Sequence, residues 1–413
     1  MSCFGAMLLG FSLVLGGSPE DPGPYAAGYR RLTVPGVAGG NGKVELLLYY
    51  PATVSGANTP LAPGGRPYPL VVFGHGFSLT TELYDSLYAH LASRGFLVAG
   101  VATEEQLFTG NLPRFLKDFA AAVLGLRAEA KRTGGPLEGA VSPTALAGAA
   151  GHSFGGAAAI VAAADRPDLF GALVTMAATA TSPQQVDILA AVRRLRVPAL
   201  HLGASRDTIV PPGTNLDPIY AATPGEKRLL EIGGGTHSYF HERWGPDRLL
   251  EPRGQISVAE QQRLVRRYGL SFFEYALRDE STLLDFYLGP TAVADPGLSR
   301  QQVELPRALL FGAGTGRPGT PYRLHPARRT GDSGLILAAA AGGRLATTFG
   351  ELLLDPATLL PLGVVSVGSN AYGTYNFSLP GDPALVGQTV HLQALLLAGV
   401  EGDLSNPWRL RVR

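Results

Sequence analysis

The apolar positions of this chain fall into two regimes. From about residue 25 to 290, short continuous apolar runs alternate with longer stretches of helical spacing. YRRLTVPG and KVELLLYYPA predict two strands joined by the Gly-rich turn VAGGNG, and a Pro/Gly-rich loop covers 55–69. YPLVVFGHGF and FLVAGVAT are apolar without alternation, which predicts strands buried on both faces. TELYDSLYAHLASRG puts Leu83, Leu87 and Leu91 with Tyr84 and Tyr88 at helical spacing, and Gly95 stops the helix. A long amphipathic helix follows in LPRFLKDFAAAVLGLRAEAKR, then a strand in TALAGAAGHS and an Ala-rich helix. The alternation continues through strand GALVTMAA, helix SPQQVDILAAVRRL, strand VPALHLGAS, a helix around 213–222 and strand KRLLEIGG. The last helix, SVAEQQRLVRRYGLSFFEYALRD, opens with Ser257 and Glu260 spaced as a capping box. Strands alternating with helices predict an α/β unit: a mostly parallel sheet covered by helices on both faces.

The second regime starts after a linker-like GPTAVADPG. Lys is absent, and short apolar runs recur between turn signals: RALLFGAG, SGLILAAA, GVVSVGS, YNFSLPG, QTVHLQALLLAG and WRLRVR. This predicts a small all-β sandwich. The expected organisation is a leader over 1–22, an α/β domain over 23–290 and a β-sandwich over 291–413. A chain ending near Gly289 is therefore expected to stay soluble and active. Phe349, Tyr372, Tyr375, Phe377 and Trp408 are candidates for a surface-binding face on the tail.

Composition narrows the function. The net charge is +1, only 16% of the 413 residues are charged, and no Lys/Arg run occurs, which argues against a nucleic-acid partner. Cys3 is the sole cysteine, so neither an intramolecular disulfide nor a Cys-based metal site can form. Residues 3–17 are apolar and small, and a polar, Pro-rich stretch from Ser18 to Pro24 follows. That order predicts a signal peptide and a secreted, periplasmic or cell-surface enzyme, although the leader lacks Lys or Arg.

The chemistry centres on Gly151-His152-Ser153-Phe154-Gly155, which fits G-x-S-x-G. In a nucleophile elbow a strand turns sharply into a helix, and the residues two before and two after the Ser must be tiny. With 54 glycines in the chain the bare motif is weak, so its surroundings decide. A Ser hydroxyl needs a His base and a carboxylate to orient it. VPALHLGASRDTIVPP presents Asp207 just past a strand end, and KRLLEIGGGTHSYF presents His237 past another. The order Ser153, Asp207, His237, each after its own strand, is that of nucleophile, acid and base in α/β-hydrolases. Asp187 and Asp217 are rival acids and His241 is a rival base. His201 reads as a core residue, and His75 and His152 as packing beside the site. The oxyanion needs two backbone donors, expected from Phe154 and from Phe77 in the loop FGHGF. Ser78, Ile209, Val210, Tyr239 and Phe240 are expected to line the substrate pocket.

These motifs, with LASRGFLVAGV, resemble the dienelactone-hydrolase-like esterases over residues 30 to 285. Cutinase-like polyester hydrolases, chlorophyllases and platelet-activating-factor acetylhydrolases are the nearest in kind. The resemblance implies the α/β-hydrolase fold and carboxylic ester hydrolysis through an acyl-enzyme, without metal or organic cofactor. It also implies Ser153 as nucleophile, His237 as base, Asp207 as acid, and the amides of Phe77 and Phe154 as oxyanion donors. Polyester hydrolases carry a Trp after the strand that follows the nucleophile helix, where this chain reads MAATATSP, and a C-terminal disulfide that this chain cannot form.

The expected function is a secreted serine esterase or lipase, with lipid or polymer esters among its substrates. The alternatives are a thioesterase or amidase with the same triad, and a non-catalytic binding or adhesion protein working through the tail. A complete triad argues against the last.

Overall fold

The computed structural model describes residues 18–106, 110–182, 184–328, 331–399 and 401–413. Residues 1–17 of the expected leader lie outside the described residues. Ten strands form one sheet: β1 (Ala26–Pro35), β2 (Lys43–Ala52), β3 (Gly56–Ala57), β4 (Leu70–Gly74), β5 (Leu97–Val101), β6 (Ala147–His152), β7 (Phe170–Met176), β8 (Ala199–Ala204), β9 (Lys227–Ile232) and β10 (Leu298–Glu304). Their spatial order is β10-β9-β8-β7-β6-β4-β5-β2-β1-β3. The run from β9 through β4 to β5 is parallel, whereas β2 and β10 join antiparallel. This is the α/β-hydrolase sheet.

Helices cover both faces: α1 (Asp85–Ser93), α2 (Leu112–Lys131), α3 (Phe154–Asp165), α4 (Ile188–Val192), α5 (Leu216–Ala222) and α6 (Val258–Arg278). The continuous apolarity of β4 and β5 has the expected cause, since every residue of each is buried. Ser257 caps α6 by accepting the Glu260 amide at 3.1 Å. The helix expected over 182–195 is much shorter, because Asp187 caps it by accepting the Ala190 amide at 2.8 Å.

Beyond α6, the short helices α7 (Leu284–Tyr287) and α8 (Pro290–Val293) lead back to the sheet. Residues 298–304 then pair with β9, Leu298 opposite Ile232 and Glu304 opposite Lys227. The boundary expected at residue 290 therefore precedes the sheet's last strand. The segment LSRQQVE gave no signal because it is an edge strand whose residues are only partly covered. Its polar side chains still find partners: Gln301 accepts from Arg228 at 2.9 Å, and Arg300 reaches Glu231 and Asp217 at 2.9 and 2.5 Å.

The remaining chain is a β module. It contains a three-stranded antiparallel sheet (Leu309–Gly314, Pro321–Ala327, Tyr375–Ser378), a larger one around Ser333–Ala339 and Thr389–Ala398, and a hairpin over 342–354. Its core is continuous with that of the catalytic domain: Tyr287 and Leu288 share one buried cluster with Phe311, Leu324 and Trp408. Arg307 ties the two parts, donating to the Tyr275 hydroxyl at 2.8 Å and to Glu226 at 3.3 Å. The tail aromatics mostly face inward. Trp408 is buried and donates to the Tyr322 hydroxyl at 3.2 Å, so it forms no surface platform.

Residues 18–22, placed in the expected leader, are docked on the catalytic domain. Arg94 donates to the Ser18 and Asp21 carbonyls, and Glu20 receives Arg263 and Arg267 from α6. Partial burial pushes the Glu20 carboxyl up. The hydrogen bonds from Arg267 and Ser18 outweigh that effect and bring it down to about 2.

Candidate active site

The site lies along the carboxyl ends of β4, β6, β8 and β9, with β7 between β6 and β8, where open α/β sheets gather function. Ser153 follows β6, Asp207 follows β8, His237 follows β9 and Phe77 follows β4. Ser153 has φ 55° and ψ −118°, a strained conformation that non-glycine residues seldom adopt. Close packing enforces it. A Cβ on Gly151 would stand 2.3 Å from the Gly155 carbonyl oxygen, and one on Gly155 would stand 2.1 Å from that of Gly74. The two tiny residues around the Ser are thus a steric requirement. The same contact holds the helix start against β4, so Phe154, first residue of α3, sits beside the loop carrying Phe77. A first-turn amide has no partner within its own helix, and the Phe154 N–H stands at that position. The Phe154 ring stacks on Phe115 (5.4 Å between centroids) and meets Phe77 edge-on at 5.7 Å. Phe77 itself is exposed.

Asp207 and His237 are both buried, and Asp207 Oδ2 lies 2.7 Å from His237 Nδ1. A carboxylate facing Nδ1 places the ring proton there and leaves Nε2 as the basic nitrogen. Asp207 Oδ1 accepts the Ile209 and Val210 amides at 2.9 and 2.6 Å. The loops carrying Asp207 and His237 are also joined: the Arg206 amide donates to the Gly235 carbonyl at 2.9 Å, and the Gly234 amide to Ser205 Oγ at 2.8 Å. The His237 ring lies 4.4 Å from that of His152, the residue before Ser153, which brings His237 close to the elbow.

The rival residues are occupied elsewhere. Asp187 caps α4 and Asp217 pairs with Arg300. His241 is buried, with Nδ1 on the Arg243 carbonyl (2.7 Å) and Nε2 on Asp247 (2.8 Å), so neither nitrogen is left for a proton transfer. His201 sits mid-strand between the Thr175 and Thr223 hydroxyls. His75 bridges the Gly76 and Thr103 carbonyls, and burial pushes its pKa down. His152 is held well below the ordinary imidazole range, chiefly by burial and then by the His237 and His241 rings.

The expected pocket residues divide. Ser78, at φ 58°, Ile209 and Tyr239 are partly exposed beside the site. Phe240 is fully buried with its ring 5.5 Å from that of His152, and Val210 is buried while its amide serves Asp207. Both pack into the interior.

Two positioning residues escaped the sequence reading. The Glu251 carboxylate accepts the His237 and Ser238 amides at 3.0 and 2.6 Å. Gln261 of α6 takes both sides of Thr236, accepting its amide at 3.0 Å and donating to its carbonyl at 2.8 Å. Gln261 falls on the buried face of a helix, a faint signal; Glu251 lies in a polar loop and gave none. Among the described residues no three His, Cys, Asp or Glu side chains gather into a group that could hold a metal ion.

The model of the PET hydrolase-like family matches residues 21–248, more than half of the chain. The protein belongs to this family. It is accordingly an ester-cleaving hydrolase. The chain is 26% identical over 245 residues to "Cutinase est1" of Thermobifida alba, covering 59% of this chain and 71% of that protein. It is 27% identical over 220 residues to "Bis(hydroxyethyl) terephthalate hydrolase" of Streptomyces coelicolor, covering 52% and 61%. A shorter stretch of 68 residues is 37% identical to the platelet-activating factor acetylhydrolase of Canis lupus familiaris, 16% of this chain and 15% of that one.

Proposed function

We propose that the protein is a secreted serine esterase that cleaves carboxylic esters through Ser153, His237 and Asp207. The observation that carries this reading is the Asp207–His237 pair at 2.7 Å, beside a Ser153 held at φ 55°. His237 Nε2 takes the Ser153 hydroxyl proton as Oγ bonds to the ester carbonyl carbon. The resulting oxyanion is received by the amides of Phe77 and Phe154. The bond to the alcohol oxygen then breaks, and His237 passes its proton to the departing alcohol. Water, deprotonated by His237, attacks the acyl-enzyme and releases the acid. No cofactor enters these steps.

The named relatives are a cutinase, a bis(hydroxyethyl) terephthalate hydrolase and a platelet-activating factor acetylhydrolase, which supports a substrate with a sizeable apolar part. In keeping with this, Trp244, Leu249 and Leu250 are 62%, 76% and 73% exposed on the stretch that follows the His237 turn. Ser78, Ile209 and Tyr239 complete the substrate side of the site. Export is supported by the apolar N-terminal segment. A leader ending before Ser18 preserves the Glu20 and Arg94 contacts. Attachment to an insoluble substrate or a cell surface falls to the C-terminal module, whose exposed Leu360 and Val364 are aliphatic.

Ser153→Ala tests the core of this reading. The purified variant should lose hydrolysis of a short soluble p-nitrophenyl ester and labelling by a fluorophosphonate, while its circular dichroism stays that of the parent. Near-parental turnover in the folded variant would reject the assignment.

A further inference from the structure

Tyr84 lies outside every motif that identifies the triad, yet it stands between the two halves of the site. It is 1% exposed and closes the short turn Thr81–Tyr84 ahead of α1. Its hydroxyl receives the Gly76 amide at 3.1 Å and lies 2.8 Å from His152 Nδ1. The Gly76 N–H can only donate, so the phenolic oxygen accepts there, and the same oxygen is hydrogen-bonded to His152 Nδ1. One oxygen atom thus joins the loop ahead of Phe77 to the residue ahead of Ser153.

The surroundings leave this oxygen little freedom. The Tyr84 ring packs 4.8 Å from Phe73 at the end of β4 and 5.8 Å from His241, whose ring is fixed at both nitrogens. The His152 ring is in turn 4.4 Å from that of His237. Besides the Tyr84 hydroxyl, the loop is held by the Leu79 amide on the Gly76 carbonyl (3.1 Å) and by His75.

We infer that Tyr84 is a positioning residue for ester hydrolysis: its hydroxyl holds the oxyanion loop and the nucleophile elbow in register, so that the Phe77 and Phe154 amides converge on one oxygen. This rests on the proposed serine-esterase mechanism. The physical reason is the cost of a buried unsatisfied amide. Without the phenolic oxygen, the Gly76 N–H has no acceptor and the peptide turns to find one. The neighbouring Phe77 amide turns with it. Oxyanion donors act through preorganisation, so a small rotation weakens transition-state binding more than substrate binding.

Tyr84→Phe removes the oxygen and keeps the ring. On a soluble p-nitrophenyl ester, kcat should fall about 10- to 100-fold, less than the loss of a whole oxyanion donor, with KM within about twofold. Fluorophosphonate labelling should slow by a similar factor. The midpoint of the pH–rate profile should stay in place, because the Asp207–His237 pair is untouched. Tyr88→Phe is the matched control: its hydroxyl is also buried but bonds Thr81 at 2.9 Å, away from the loop and the elbow. That variant should keep kcat within about twofold. The inference fails if Tyr84→Phe keeps parental kcat, if its loss appears in KM, or if Tyr88→Phe loses as much. It fails also if Tyr84→Phe does not fold where Tyr88→Phe does, since the hydroxyl would then serve the fold. Persistent hydrolysis by Ser153→Ala would instead overturn the underlying mechanism.

Discussion

Asp207 holds His237 with one carboxylate oxygen, at 2.7 Å, while its other oxygen is occupied by the backbone amides of Ile209 and Val210. The carboxylate is therefore fixed by its own turn before it meets the imidazole, and the ring has one orientation available. Asp207→Asn keeps the shape and removes the charge. Its amide offers His237 either a donor or an uncharged acceptor, which disturbs the tautomer needed for catalysis. We expect kcat to fall by several decades with KM little changed. As a comparison, His241→Asn should keep kcat within about threefold while lowering stability. A loss below tenfold for Asp207→Asn, or a reversed ranking of the two variants, would reassign the acid and base.

Glu251 provides a second test of positioning. Its two oxygens take the consecutive amides of His237 and Ser238. Glu251→Ala leaves both amides without that acceptor at the turn bearing the base, and displacements of about an ångström at such groups can cost about 100-fold. The expected result is a 10- to 100-fold lower kcat, partly restored in Glu251→Gln, which keeps one oxygen. Equal activities for the parent and both variants would show the contact to be incidental.

The C-terminal boundary yields a prediction opposite to the one the sequence suggests. Ending the chain at Gly289 removes β10, exposes the β9 edge and uncovers Tyr287 and Leu288. Such a chain should aggregate, or melt well below the parent and lose activity even on a small soluble ester. A soluble monomer with the full-length rate would show that the added strand is dispensable.

Buried neutral histidines set an acid limit on stability. His201 is held down at about 3 by burial, with the Lys227 charge adding to it. Its pKa in the unfolded chain is near 6.5, so below that pH the unfolded state binds a proton that the folded state refuses. Stability from this group is complete above about pH 6.5 and is lost as the pH falls toward 3, at about 1.4 kcal/mol per pH unit. The difference in unfolding free energy between parent and His201→Gln, measured in urea, should therefore narrow by about that amount from pH 6 to pH 5. A difference independent of pH would mean that His201 is not protonated on unfolding.

The sheet, the elbow and the proposed triad were legible because each rests on short-range rules. Gly151 and Gly155 mark the turn, and the apolar runs of β6, β8 and β9 end shortly before Ser153, Asp207 and His237. What escaped was carried by contacts between distant segments. Glu251 acts through backbone amides, which leave no mark on the residues they belong to. Tyr84 reads as one more apolar position on a helical face. The strand at 298–304 is an edge strand with polar side chains, and only its pairing with β9 gives it a shape. Trp408, one of the candidates for a surface-binding face, turns inward to meet Tyr322.

The backbone contact of Gly155 with Gly74 has a consequence for how this enzyme can change over generations. Nucleophile turn and oxyanion loop meet there main chain to main chain, with no room for one methyl group. That seam therefore offers selection no graded variants, only intact or broken ones. Change is open instead to side chains outside it, among them the exposed Trp244, Leu249 and Leu250.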